Sequence, residues 1–206
     1  LRQIGFLLLP ASAATAVLAE PIIRLLYERG EFTPDQTPVV AGALAAFSLG
    51  LAANGMMLML TRGFFSLQSP WTPTAVALGN LALNVVLYAA LYRVGVWGIP
   101  LAISLANIAT AVLLLVLLRR RLDGIDFAET ARSLARAVAA SAVLAGVAFA
   151  VWYGVDATLG RGFLGQLASV SLALAAGGTA YLLAAWALGS REIQALHSLR
   201  GRFRRA

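Results

Sequence analysis

The sequence predicts an all-α fold, a polytopic membrane protein with six transmembrane helices, and three observations predict it. Residues 3–19, 38–61, 74–92, 101–118, 137–155 and 163–190 contain no Asp, Glu, Lys or Arg; each is close to the roughly 20 apolar residues that span the ~30 Å hydrocarbon layer. The connections between them carry arginines that fall overwhelmingly on alternate sides. With 60% hydrophobic and 12% charged residues, a chain of 206 residues has too little polar surface to cover a soluble globule. Within lipid the backbone must satisfy its own hydrogen bonds, and unbroken apolar runs of this length do so as helices, not as alternating barrel strands.

Orientation follows from the basic residues, all sixteen of which are arginine. Arg2, Arg62, Arg119, Arg120, Arg121, Arg132, Arg136, Arg191, Arg200, Arg202, Arg204 and Arg205 share the side on which helix one begins. Arg24, Arg29, Arg93 and Arg161 lie on the other. The positive-inside rule therefore places the arginine-rich side and both ends of the chain in the cytoplasm. The formal net charge of +7 reads as an orientation signal, with membrane lipids and no nucleic acid as its partner. The absence of cysteine excludes disulfides and thiolate metal sites, and no cofactor is expected. The chain starts at Leu1 without a signal-peptide pattern and tapers to a basic end at Ala206, which suggests a fragment whose missing part lies upstream.

Helix one is expected over about 3–27, kinked because Pro10 and Pro21 each remove one intrahelical hydrogen bond. After an outer connection rich in turn residues, Thr37-Pro38 suits an N-cap and first helical position for a helix two running to about Thr61. Residues 62–73 turn the chain, Thr72-Pro73 caps helix three in the same way, and Trp71 suits interface depth. Helix three ends near Tyr92, and helix four runs from Gly98 to Leu118 with Pro100 tolerated in its first turn.

The polar stretch from Arg119 to Arg136 divides four helices from two. The resulting organisation is four helices over 1–121, a cytoplasmic connector over 122–136 with the pattern of a short interfacial helix, two helices over 137–190 and a basic tail over 191–206. Helix five, 134–155, offers small-xxx-small spacing at Ser141/Ala145 and Ala142/Gly146, and helix six, 163–189, carries Gly177-Gly178; such residues let helices approach closely in lipid.

Few polar residues lie within the spans. Asn80 and Asn84 share one helical face and point to a bundle interior or cavity, where they bond between helices or serve a ligand. Arg24 is a candidate substrate contact near the outer end of helix one, although Glu20, four residues earlier, supplies an ion-pair partner. Arg62 closes helix two at the cytoplasmic face, placed to anchor the helix end or to meet a pyrophosphate with its guanidinium fork. Asp123 and Asp126, three apart on the cytoplasmic side, raise the alternative of a membrane-embedded prenyl transferase that holds magnesium-pyrophosphate. That chemistry needs several carboxylates, and here Glu129 is the nearest companion amid five arginines, as in a solvated connector. His197, the single histidine, lies in the polar tail without a suggested partner.

The segments Leu8-Leu-Pro-Ala-Ser12, Leu18-Ala-Glu-Pro-Ile-Ile-Arg-Leu-Leu-Tyr-Glu-Arg-Gly-Glu-Phe32, Phe47-Ser-Leu-Gly-Leu51, Arg62-Gly-Phe-Phe65 and Thr72-Pro73 together resemble the C-terminal half of the MurJ (MviN) family. These are bacterial lipid II flippases of the multidrug/oligosaccharidyl-lipid/polysaccharide exporter superfamily. The resemblance implies that the six helices correspond to the ninth to fourteenth of fourteen in the bacterial cytoplasmic membrane. It also implies alternating access between two lobes, lipid II as substrate, and cavity arginines in an N-terminal lobe upstream of Leu1. Export of another polyprenyl-linked glycan or small solute is the alternative within the superfamily. The last two helices of the family line a groove for the lipid tail, which here implies Ala145, Phe149, Gly177 and Tyr181. A sodium site known in some members would draw on Asn84, with Tyr88 where an acid is expected and Ile103, beside Ser104, where a hydroxyl is. A passive membrane anchor is disfavoured by the kinked helix one and by the motif over 18–32.

Overall fold

A computed structural model describes residues 2–28, 32–121, 127–159 and 162–190. Eight α-helices are seen among them: α1 (Arg2–Val17), α2 (Ala19–Tyr27), α3 (Thr37–Ser48), α4 (Leu51–Ser66), α5 (Trp71–Leu91), α6 (Gly98–Arg121), α7 (Phe127–Leu159) and α8 (Phe163–Ala187). By length and apolarity Pro34–Ser66, α5, α6, α7 and α8 each suffice to cross a membrane, and α1 with α2 makes a sixth, bent span. The protein is a multi-pass membrane protein.

The kink expected in helix one is a 69° bend between α1 and α2. Its position follows from Pro21, whose ring lacks an N–H and crowds the carbonyl four residues back; that residue is Val17, where α1 ends. The neighbouring rungs survive, with Leu18 N–H donating to Ala14 O at 2.9 Å and Ile22 N–H to Leu18 O at 3.0 Å. Pro10 lies inside α1 without ending it.

Helix two departs from expectation. It is two helices, α3 and α4, meeting at Leu49-Gly50. A short 3-10 turn, Pro34–Gln36, precedes it, with Thr33 N–H donating to Gln36 Oε1 at 3.4 Å. Thr37 is thus inside the helix, not its cap, and its hydroxyl donates to Glu28 Oε2 at 3.1 Å. At α5, Pro70 takes the cap position and Thr72 lies in the first turn, its Oγ1 3.1 Å from Ser69 Oγ.

Much of the expected connector is helical and continuous with the next span, since α7 starts at Phe127; residues 122–126 and 191–206 lie outside the described residues. α7 and α8 pack antiparallel, and α1 lies against α7. Their shared core comprises Phe6, Ala14, Leu18, Ala140, Leu144, Ala148, Trp152, Ala173, Tyr181 and Ala185. A second core joins α4, α5 and α6 through Leu60, Phe64, Val76, Leu114 and Leu118, and a third joins α2 to α3 through Ala19, Ile23 and Ala41. α1 therefore touches both the four-helix group and the last two helices. The buried face of α7 runs through Ala137, Ala140, Ser141, Leu144 and Ala148, whereas Ala142 is exposed and a Cβ added at Gly146 would meet nothing within 4 Å. The Ala142/Gly146 spacing thus makes no helix contact here. The close approach is made at Gly177 of α8, where a Cβ would lie 3.0 Å from Ala148 Cβ and 3.3 Å from Leu144.

Polar contacts respect the two sides deduced from the arginines. Arg2 pairs with Glu129 at 3.1 Å, Arg121 donates to Ser69 and Thr72 at 2.6 and 3.2 Å, and Arg136 donates to Gly189 O at 3.1 Å, all on one side. Trp71 and Trp186 project outward at this end, and Tyr92, Trp97 and Tyr153 at the other, as amphipathic rings do at the two interfaces.

Candidate functional site

The largest concentration of charge in the described spans surrounds Arg24, near the outer end of α2. Its guanidinium meets Glu20 one turn earlier at 2.8 Å, as the i,i+4 spacing implies, and Glu28 one turn later at 3.8 Å. Unforeseen from spacing, Nη1 also lies 3.5 Å from Asp156 Oδ2 at the end of α7. Asp156 in turn accepts from Gln166 Nε2 of α8 at 2.5 Å. Bending helix one at Leu18 carries Arg24 to the α7–α8 turn, so one cation ties α2 to the last two helices. Its side chain is only 14% exposed. Three carboxylates surround the guanidinium of Arg24, the candidate substrate contact, and compete with an anionic headgroup for it. Gln166 Oε1 and Arg24 Nη1 are both buried without a hydrogen-bond partner.

Arg62 has different surroundings. It is exposed in the C-terminal third of α4, at one edge of a groove of about 310 Å³ formed with Ile4, Leu7, Leu8, Gly55, Leu58 and Met59. Gly55 lets the Leu8 side chain of α1 lie against the α4 backbone, because a Cβ there would come within 2.0 Å of Leu8 Cδ1. An apolar trough with a guanidinium at its edge matches a molecule with a hydrocarbon chain and an anionic head.

Asn84 belongs to a polar cluster between α5 and α6. Its amide donates to Asn80 O at 2.9 Å and also meets Asn80 Oδ1, and Asn80 Nδ2 donates to Thr110 Oγ1 at 2.8 Å and approaches Asn107 Oδ1 at 3.5 Å. Interhelical bonds of this kind hold helices together in lipid. Asn84 Oδ1 is buried and unpartnered. Ser104, which the resemblance placed beside a hydroxyl ligand, instead accepts from Gly50 N–H at 3.1 Å and donates to Ala46 O at 2.6 Å. Among the described residues no group of three or more His, Cys, Asp or Glu could hold a metal ion.

The four residues proposed for a lipid-tail groove do not share a surface. Gly177 and Tyr181 are buried in the core with α1 and α7, Ala145 is half-buried, and Phe149 projects outward, stacked on Tyr153 at 6.3 Å between ring centroids. The alternation of faces along α7 decides this, and the packing partner that selects the inward face is not visible in apolarity alone. Asp123, Asp126 and His197 lie outside the described residues. Glu129, the third carboxylate of that loop, is paired with Arg2.

Sequence reasoning missed Asp156, Gln166, Ser12 and Asn107. Asp156 carried a signal, as a lone carboxylate just past a charge-free run on the side of Arg24; Ser12, Gln166 and Asn107 carried none.

A family model described as lipid II flippase MurJ matches residues 1–173. A probable lipid II flippase MurJ of Rhizobium tropici is 34% identical over 200 residues, covering 91% of this chain and 36% of that protein. A second, from Bdellovibrio bacteriovorus, is 30% identical over 189 residues with the same coverage of each, 91% and 36%. The solved structure of a lipid II flippase MurJ in an inward closed conformation superposes with a TM-score of 0.68 over 88% of this chain and 36% of its own, at 24% identity, and shows the same fold. The chain thus spans little more than a third of the length of these relatives.

Proposed function

The chain belongs to the lipid II flippase MurJ family, and from that premise we propose that the protein containing it carries lipid II across the bacterial cytoplasmic membrane as a transporter, without chemistry on the substrate. The observation that carries this reading is the family match over residues 1–173, which takes in the bent helix one, the broken helix two and the Arg62 groove. Spans interrupted within the membrane are the elements around which transporters build sites and move. In this reading both ends of the chain are cytoplasmic, and the remainder of the protein supplies the opposing lobe and most of the headgroup site.

The residues divide by chemistry. Arg62 meets the pyrophosphate of the substrate at the cytoplasmic edge, and the trough of Ile4, Leu7, Leu8, Leu58 and Met59 takes the first part of its hydrocarbon chain. Phe149 and the outward side of α7 offer a surface to the rest of a polyprenyl tail. Gly177 and Tyr181 shape that surface from behind by setting how closely α7, α8 and α1 pack.

The test is complementation. Cells depleted of their own lipid II flippase and supplied with the full-length protein should regain growth and lipid II translocation. Normal membrane insertion with no translocation would sink the reading. Rescue of a different polyprenyl-linked glycan in its place would move the substrate assignment within the superfamily.

A further inference from the structure

The two larger cores leave a seam between them. α4 and α6 share the core of Leu60, Phe64 and Leu114, α7 belongs to that of Ala140, Leu144 and Ala148, and α1 touches both groups. α1 is fastened on each side. Ala52 N–H of α4 donates to Ser12 Oγ at 3.2 Å, and Arg2 pairs with Glu129 of α7 at 3.1 Å. Gly5 seats Leu134 so closely that a Cβ there would lie 2.4 Å from Leu134 Cδ2. Where α4 and α6 face α7, a cleft of about 130 Å³ remains. Six of its seven lining residues are apolar: Met56 and Leu60 of α4, Ala111, Val112 and Leu115 of α6, and Leu134 of α7; the seventh is Thr130.

Depth and surroundings decide what fits. Leu115 and Ala111 precede Arg119 by four and eight residues, roughly 6 and 12 Å beneath it along α6, inside the ~15 Å half-thickness of the hydrocarbon layer. An apolar cavity of roughly 150 Å³ in a soluble protein stays dry and takes up benzene. At this depth the hydrocarbon at hand is an acyl chain, and its atoms restore the dispersion contacts that a void forfeits. The outward side of α6 is built for lipid. Leu105, Ile108, Val112, Leu113 and Val116 are 39–55% exposed, whereas Asn107 and Thr110 turn to Asn80 of α5. Val112, the most exposed of the lining residues on α6, stands at the mouth of the cleft. Arg119 follows Leu115 by one turn on the same face, at headgroup level.

We propose that this cleft seats one acyl chain of a phospholipid of the cytoplasmic leaflet, with the lipid phosphate at Arg119. The inference shares the cytoplasmic orientation of the reading above but not its cargo. Lipid then completes the packing between the four-helix group and the last two helices. Ala111, 7% exposed, sets the depth of the seat, since a larger side chain there would fill it.

The experiment places the full-length protein in vesicles of phosphatidylethanolamine and phosphatidylglycerol doped with a phospholipid that carries a diazirine midway along one acyl chain. After illumination, mass spectrometry maps the adducts. Adducts are expected on Met56 and on Leu60, which is only 2% exposed, besides outward positions such as Leu172 and Leu183 of α8. Val112→Trp should close the mouth and lower the cleft adducts roughly tenfold, the worth of about two buried methylene groups, with those on α8 unchanged. Ala111→Leu should do the same from within, so one variant can be read should the other fail to fold. Arg119→Gln should lower them about fivefold, as one arginine near a headgroup is worth. Adducts confined to outward positions, or cleft adducts that neither filling substitution reduces, overturn the seat. Unchanged adducts in Arg119→Gln overturn the phosphate contact. Displacement of the cleft adducts by excess polyprenyl phosphate overturns the phospholipid and gives the cleft to the polyprenyl chain. Failure of lipid II translocation with the cleft adducts intact would defeat the cargo assignment alone.

Discussion

The Tyr181 hydroxyl of α8 donates a 2.6 Å hydrogen bond to the Phe6 carbonyl of α1. Phe6 is four residues before Pro10, so its carbonyl is the acceptor that the missing proline N–H leaves without a helical partner. A helix defect in the first span is thereby mended by a side chain 175 residues away. The two rings also pack with centroids 5.2 Å apart.

Tyr181→Phe keeps the ring and removes the donor, leaving a buried carbonyl unpaired at a cost of about 1–3 kcal/mol. In a Pro10→Ala background the helix satisfies Phe6 O itself, and the same substitution should cost about 1 kcal/mol or less. Denaturant unfolding of the four members of this cycle checks it; equal costs in both backgrounds would dissociate Tyr181 from the proline.

Arg24→Gln should destabilise far more than Glu20→Gln. Arg24 is mostly buried and holds α2 to α7, and losing a buried partner costs about 3 kcal/mol or more, whereas a half-exposed i,i+4 pair is worth about 0.5 kcal/mol. Thermal melts in detergent give the comparison. Similar losses from both substitutions would mean that the Asp156 contact contributes nothing.

Two adjacent glycines should respond oppositely to alanine. At Gly177 the new methyl presses on Ala148 and Leu144 and should cost about 1–3 kcal/mol. At Gly178 nothing lies within 4 Å, and removing a helix glycine should stabilise by up to about 1 kcal/mol. The same melts read both, and a stable Gly177→Ala would show that α7 and α8 separate easily.

Arg62→Ala should lower lipid II translocation roughly ten- to a hundredfold, the worth of a charge-assisted contact, while melting stays within about 0.5 kcal/mol of the parent because the side chain is exposed. Arg62→Lys should recover part of the activity, since an ammonium replaces the charge but not the fork. Full activity in Arg62→Ala would confine Arg62 to anchoring the helix end.

Legibility differs along the chain for identifiable reasons. The run lengths and the Pro21 kink could be read directly, because hydropathy and the missing proline N–H act within one turn of the residue concerned. The start of α7 at Phe127 was harder, since a polar amphipathic helix and a solvated connector share a composition. The break at Gly50 was hidden, because a glycine in an apolar run is silent until a neighbouring helix comes close enough to need it.

Order along the chain therefore decided the spans, their alternation and the side on which each arginine lies, since a bilayer acts on each segment separately through its length and charge. Packing in three dimensions decided which polar groups meet. Arg24 finds Asp156 only because helix one bends by 69°, Tyr181 finds Phe6 only because α8 stands behind α1, and Ser104 finds Gly50 only where α6 touches the break between α3 and α4. Hydrogen bonds and ion pairs act over a few ångströms, and residues 54 to 175 positions apart come that close only once the helices have packed.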